Sequence, residues 1–521
     1  MFSPLRHLAR RLFRFSPPKP EVSRLVVGST GSGKSEGELV DLVRLAGRRD
    51  CAVVLLDAHG PLAVRTVGEW VARRHEPRIV YEPVHDTSRV LGWNLLPPSL
   101  ARTPGARRLE LAETRDDLVQ CFIAPRNLGT LADRPLTREW LEAAVSLALC
   151  QPDPEPFSAL PFAFQVGSSG YKRLLAACTD PALVGRFREL ELLKRKNVVQ
   201  YDIQVGAARR LVEQVCGSEV VRLRSGGGDF DWLAALRDRS LVAFDGGGVR
   251  SRELKRTLFL LASLHVIHAV RRHFAETQSP LPVVLVLEEA GALGLVTPFV
   301  LSALQELRKA GLAVHVITQS VLDFGEPGLF EAVLANTPWQ GWYQCLSPAD
   351  QEMGARALGN ATFDPHAVHY ARTRQVRDGV ESVATESYGE GFDHNGHPVR
   401  HDTRTGTTFL TRYREEQEVH YKTPRLHEQE YRTKLATLRV GERIVRTRDG
   451  VKTERVKALP TPGRRFEPLT REAMERIRSR PIYRRPATPP EVDSATPLPD
   501  AAERLRSLTT NAENPGIGSR V

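Results

Sequence analysis

The chain has 521 residues, 41% of them hydrophobic and 26% charged, with a formal net charge of +11. Those values exclude a low-complexity or disordered chain and allow two or three domains around a sizeable core. The basic balance favours an acidic partner, nucleic acid or an anionic membrane surface, although a GC-rich genome also explains why arginine supplies 62 of the 73 basic residues. Six scattered cysteines without a CxxC pair suit a reducing compartment. No apolar run reaches the ~18–20 residues that span a bilayer, and no signal peptide is evident. A cytoplasmic protein is expected, with a peripheral place at the inner face of the membrane left open.

Residues 1–21 form a basic N-terminal segment. Within it, residues 1–16 fit a short amphipathic helix, compatible with peripheral membrane contact, with DNA or partner contact, or with a solvated tail. From Arg24 to about residue 100, short apolar runs alternate with helical patterns: strands at Leu25–Val27, Cys51–Leu56 and Arg78–Tyr81, and a helix from Glu36 to Leu45. Residues 101–230 are dominated by helical periodicity and read as an all-helical insertion. Strand and helix patterns resume over 231–460, with strands at Leu241–Phe244, Val283–Leu287, Ala313–Thr318 and Gly341–Cys345. After about 365 the composition predicts polar, irregular chain, then a hairpin over Arg443–Lys457 turned by Asp449-Gly450. Residues 461–521, rich in proline, arginine and serine, read as a disordered tail. The fold class expected is α/β, a mostly parallel sheet with an inserted all-α domain.

The chemistry starts at Gly28-Ser29-Thr30-Gly31-Ser32-Gly33-Lys34-Ser35, a phosphate-binding loop set between a strand and a helix. The glycines let backbone N–H groups converge on phosphate oxygens, and the helix adds the positive end of its dipole. Lys34 reaches the β- and γ-phosphates, and the Ser35 hydroxyl ligates Mg2+. The apolar strand Val283–Leu287 then delivers Glu288 and Glu289. The first carboxylate holds the magnesium shell, although Glu288 stands where aspartate is usual and is one methylene longer. The second orients and polarises the attacking water. Gln319 closes a strand and suits a γ-phosphate sensor. Arg308, in Leu307-Arg308-Lys309-Ala310-Gly311, is either a surface arginine or a finger acting on a neighbouring subunit. Asp393-His394-Asn395-Gly396-His397, with His401 and Asp402, holds metal-ligating residue types but no complete zinc spacing; Asn395-Gly396 there is a tight-turn signal.

In this order the motifs resemble the coupling ATPases of bacterial conjugation and type IV secretion (TraG/TraD-like), within the FtsK/HerA class of ring-shaped DNA pumps, which implies a RecA-like phosphate-loop NTPase sheet with an inserted all-α domain. The resemblance spans about residues 22–460. Besides the phosphate loop and the Glu288-Glu289 strand, it rests on Asp57-Ala58-His59-Gly60, Trp93-Asn94-Leu95-Leu96, Thr318-Gln319-Ser320 and Leu438-Arg439-Val440-Gly441-Glu442. It implies ATP with Mg2+, a homo-oligomeric ring of six subunits, DNA as the translocated substrate, and a relaxase or secretion-channel partner. It also implies Arg308 as the trans-acting finger and Gln319 as the sensor. Two alternatives stand beside it: a secretion or assembly ATPase that does not act on DNA, and a nucleotide-switched partner of a nuclease in phage defence.

Overall fold

The computed structural model describes residues 22–48, 50–73, 75–97, 104–123, 135–151, 157–225, 230–325, 327–459 and 466–485. The strands are β1 (Arg24–Val27), β2 (Ala52–Asp57), β3 (Ile79–Pro83), β4 (Val90–Leu91), β5 (Leu241–Asp245), β6 (Val283–Leu287), β7 (Leu312–Thr318), β8 (Trp339–Trp342), β9 (Val368–Phe392), β10 (Pro398–Tyr421), β11 (Glu442–Thr447), β12 (Gly450–Arg455) and β13 (Tyr483–Arg484). Nine of them make one sheet in the order β12-β11-β8-β1-β7-β6-β2-β5-β3. From β8 to β3 every pairing is parallel; β11 and β12 add an antiparallel edge.

Every residue of β2, β5, β6 and β7 is buried. Helices cover both faces of such a sheet, which is why these strands are unbroken apolar runs rather than alternating ones. One covering helix, Arg252–Thr277, is buried through its middle from Thr257 to Val270 apart from His268. His265 in that helix stacks on Trp232, and burial lowers its pKa to about 4, so it serves as a neutral core residue. The register aligns the strand ends: Val27 pairs with Thr318 and Trp342, Leu56 with Leu287, and Asp57 with Asp245. Residues that follow these strands therefore leave the sheet along a single edge.

Between β4 and β5 the described chain is helical, with helices Pro104–Ile123, Pro135–Leu149, Ser169–Ala177, Pro181–Lys196, Val198–Cys216 and Glu219–Arg224, and a 3-10 turn at Phe157–Phe164. Local chemistry fixes where these helices begin. Asp180 accepts hydrogen bonds from the Ala182 and Leu183 N–H groups just before Pro181, and Asn197 accepts from the Gln200 N–H. Tyr171 and Tyr201 bury their rings and donate their hydroxyls to the Phe187 and Phe164 carbonyls. At the seam with the sheet, Arg224 and Glu82 are both fully buried; Nε donates to Oε1 at 2.7 Å, and the other carboxylate oxygen accepts from the Leu91 N–H.

Three expectations need correction. The stretch after 365 is not irregular: β9 and β10 form one long antiparallel ribbon turned at Asp393–His397, where the Asp393 N–H donates to the His397 carbonyl and Gly396 has φ +83°. Its composition looks polar because both faces meet solvent, which leaves no buried side to mark with apolar residues. The later hairpin pairs Thr447 with Gly450, so Arg448 and Asp449 occupy the turn and Gly450 already belongs to β12. Residues 466–485, assigned to a disordered tail, form the helix Phe466–Arg478 and strand β13 paired with β4. Backbone carbonyls account for that order: Arg480 donates to the Glu76, Pro77 and Ile79 carbonyls, and Tyr483 exchanges hydrogen bonds with the Tyr81 main chain. Residues 1–21, read as the basic N-terminal segment, lie outside the described residues. Among the described residues no helix is long and apolar enough to cross a membrane.

Candidate nucleotide site

β1 ends at Val27, the loop runs from Gly28 to Gly33, and the helix Lys34–Arg48 starts directly after it. Gly33 has φ +96°, a left-handed conformation, and a Cβ there would meet the Gly441 nitrogen at 2.9 Å. Only glycine satisfies both demands. Three backbone-directed bonds hold the loop from outside: the Ser29 N–H donates to the Gln344 carbonyl, the Leu346 N–H to the Ser29 hydroxyl, and the Gly441 N–H to the Ser32 carbonyl. Lys34 folds over the loop, its Nζ donating to the Gly28 and Ser29 carbonyls at 2.5 and 2.9 Å. Burial holds its ammonium below the ordinary lysine value, with the Glu289 and Glu288 carboxylates pulling the other way. Ser35 is exposed on the first turn of the helix.

Glu288 and Glu289 follow β6 at the same edge. Glu289 has φ +56°, a left-handed backbone that a non-glycine residue rarely adopts. Its Oε1 accepts a hydrogen bond from Gln319 Nε2, and Gln319 Oε1 accepts from the Thr30 hydroxyl at 2.5 Å. A continuous polar chain thus links the phosphate loop, the end of β7 and the end of β6. On the other side His59 Nε2 lies 3.7 Å from Glu289 Oε1. Asp57 sets that loop, one oxygen accepting from the His59 N–H and the other from the Ala63 N–H at the start of the helix Pro61–Ala72.

Glu288 is 6% exposed, and its pKa is pushed up to about 8, first by burial and then by the Asp57 and Glu289 carboxylates. Its Oε2 is buried without a hydrogen-bond partner. Ligand atoms of His59, Glu288 and Glu289 lie within 4.8 Å of one another, the one such group among the described residues. An orphaned carboxylate oxygen beside a second carboxylate fits a hard divalent cation such as Mg2+.

Ten residues singled out from sequence, Gly28, Ser29, Thr30, Gly31, Ser32, Gly33, Lys34, Ser35, Glu288 and Glu289, meet at this edge with Gln319. Arg308 does not join them. It is exposed in the turn after the helix Pro298–Glu306, at the opposite end of β7 from Thr318. Six strand steps separate Leu312 from Thr318, about 20 Å at ~3.3 Å each. Sequence reasoning picked out Asp57-Ala58-His59-Gly60 as a motif and Thr30 as a loop residue, but assigned no role to Asp57 or His59 and did not foresee the bond from the Thr30 hydroxyl to Gln319. A usable signal for Asp57 and His59 was Gly60 close behind a strand ending in aspartate; Thr30 and Gln319 are 289 positions apart, and nothing local announces their contact.

No protein-family model and no curated protein matches the chain. Solved structures do. The bacterial conjugative coupling protein TrwBdeltaN70 in its unbound form is 16% identical, with a TM-score of 0.50 over 88% of this chain and 92% of that one. The plasmid coupling protein TrwB determined in complex with ADP and Mg2+ is 14% identical, with a TM-score of 0.51 over 88% of this chain and 93% of that one. At these identities the likeness is one of fold: a phosphate-loop sheet with added helices, arranged as in a conjugative coupling protein.

Proposed function

We propose that this chain is a magnesium-dependent ATPase motor that assembles into a ring, with six subunits as the expected number, and moves DNA in conjugative or type IV secretion-like transfer. The observation that carries the reading is the convergence of Lys34, Glu288, Glu289 and Gln319 on one sheet edge. The shared fold supports it, as does the TrwB complex with ADP and Mg2+, and the net charge of +11 suits a DNA substrate.

In this mechanism the loop N–H groups and Lys34 hold the β- and γ-phosphates, and Ser35 with Glu288 holds the cation. Bound Mg2+ supplies neutralisation of phosphate charge. Glu289 orients and polarises water, a task that requires Gln319 to let go of its Oε1 and turn its amide to the phosphate. The Thr30–Gln319 bond makes that release sensitive to occupancy of the loop. Arg308 lies too far from its own site to act there, so a neighbouring copy supplies it, stabilising charge on the transferring phosphoryl group. DNA is gripped through its backbone phosphates, mainly by charge.

The test is the steady-state ATPase rate with and without single- and double-stranded DNA, with Glu289→Gln as the blank. Glu289→Gln is expected to bind ATP and leave it intact, with turnover down by about 10²–10⁴. Stimulation by DNA that fades as salt rises supports the motor. A rate indifferent to DNA in assembled protein moves the assignment to a secretion or assembly ATPase. Tight binding with almost no turnover moves it to the nucleotide-switched module, the outcome that the longer side chain of Glu288 makes worth testing.

A further inference from the structure

The ribbon of β9 and β10 has two unlike faces, and its register assigns them. Arg374 lies opposite Glu416, and Gly379 opposite Arg412. On that face Arg412 Nε meets Glu381 Oε2 at 3.1 Å, and Arg414 bonds Glu416, whose hydrogen bond and charge, followed by Asp378 in the bulge, raise the pKa of Arg414. Its charges are therefore matched within the ribbon. The other face carries Phe409, Tyr413, Val419 and Tyr421 along β10, with Val380 opposite Thr411. From Ala371 to Ser382 on β9, and across from them on β10, its only charged residues are Arg377 and Glu415, which sit as diagonal neighbours. Phe409 is 70% exposed and Tyr413 61%.

We propose that this sparsely charged face is a self-association surface that packs, ribbon on ribbon, against the same face of a second copy of the chain. Three arguments select that occupant. A lone two-stranded ribbon is marginal in water, and stacking two of them about 10 Å apart supplies the core that neither has alone. Over the stretch that carries this pattern, residues 368–382 and 409–421, the strands reach about 45 Å and the pair is about 10 Å wide, so one face offers about 450 Å2, the size of a weak, reversible contact. Charge disfavours nucleic acid: residues 368–421 hold seven arginines and nine acidic residues, a net of −2 in a chain of +11. The face is also self-complementary, because a two-fold axis brings apolar onto apolar and lets Arg377 of one copy approach Glu415 of the other. This association does not depend on nucleotide, so it stands or falls apart from the motor reading.

The experiment uses the full chain. Thr411→Cys, on the sparsely charged face, should give oxidant-induced covalent dimers well above both the wild-type background and Arg412→Cys on the opposite face. Light scattering should show the wild type self-associating without nucleotide, and holding in added sulfate, as a contact dominated by apolar burial does. Phe409→Ser with Tyr413→Ser should weaken that association at least tenfold while melting temperature and ADP binding stay at wild-type values. A second variant, joining Arg377 to Tyr413 through a two-residue turn, should do the same with the ribbon shortened. The proposal is overturned if both cysteine variants cross-link equally, if the wild type is monomeric at tens of micromolar, or if the serine variant keeps its mass. Lost DNA binding with self-association intact also overturns it and assigns the face to DNA.

Discussion

The sheet edge and the ribbon solve opposite problems with the same backbone. In the sheet, strands buried on both faces leave their ends nowhere to go except one edge, so polar groups from distant parts of the chain meet there and interlock. Lys34, Glu288, Glu289, Gln319, Thr30 and His59 each contact or perturb another member of that set. In the ribbon, pairing is local and both faces meet solvent, so each side chain answers only to its cross-strand neighbours. Burial concentrates coupling; exposure disperses it.

That contrast can be broken hardest at the one proposed site residue that lies away from the edge. Arg308→Ala should leave nucleotide affinity unchanged and lower turnover by about 10³–10⁵. Mixed assemblies of Arg308→Ala and Glu289→Gln subunits should regain measurable hydrolysis, since some interfaces then carry two intact halves. Next is the seam of the helical segment. Arg224→Met strands the Glu82 carboxylate in a fully buried position and should lower stability by about 3–5 kcal/mol, read in a denaturant titration; replacing both partners with apolar residues should recover most of that loss.

A pH scan sharpens the comparison further. Glu288 has a folded pKa of about 8 against an ordinary 4.5, so across that window the folded protein keeps a proton that the unfolded chain has released. Its contribution to stability is therefore complete below the lower value and declines as pH rises, levelling off above the upper one. Melting temperature of the nucleotide-free protein should show that decline, and Glu288→Gln should flatten it. The smallest effect belongs to the ribbon: a double-mutant cycle on Arg412 and Glu381, an exposed pair at 3.1 Å, should give about 0.2–1 kcal/mol.

Legibility in sequence follows the same division. The phosphate loop could be read because its eight positions are contiguous, and the β6 carboxylates because an apolar run ends in acids. The parallel sheet could be read because its strands are apolar throughout. The link from Thr30 through Gln319 to Glu289 was hidden by separations of 289 and 30 residues. The ribbon was hidden because neither of its faces is covered, which removes the apolar alternation that marks a strand. Order in residues 466–485 was hidden because arginine and tyrosine bonds to main-chain groups leave no compositional trace.

The contact between the Gly441 N–H and the Ser32 carbonyl also sets a schedule for synthesis. The loop leaves the ribosome well before the segment that roofs it, which is about 400 residues behind. At ~5–20 residues per second that is roughly 20–80 s, during which the nascent chain carries a phosphate loop without its roof. Nucleotide arriving in that interval meets an unfinished site, so competence to bind should appear only after Gly441 has emerged.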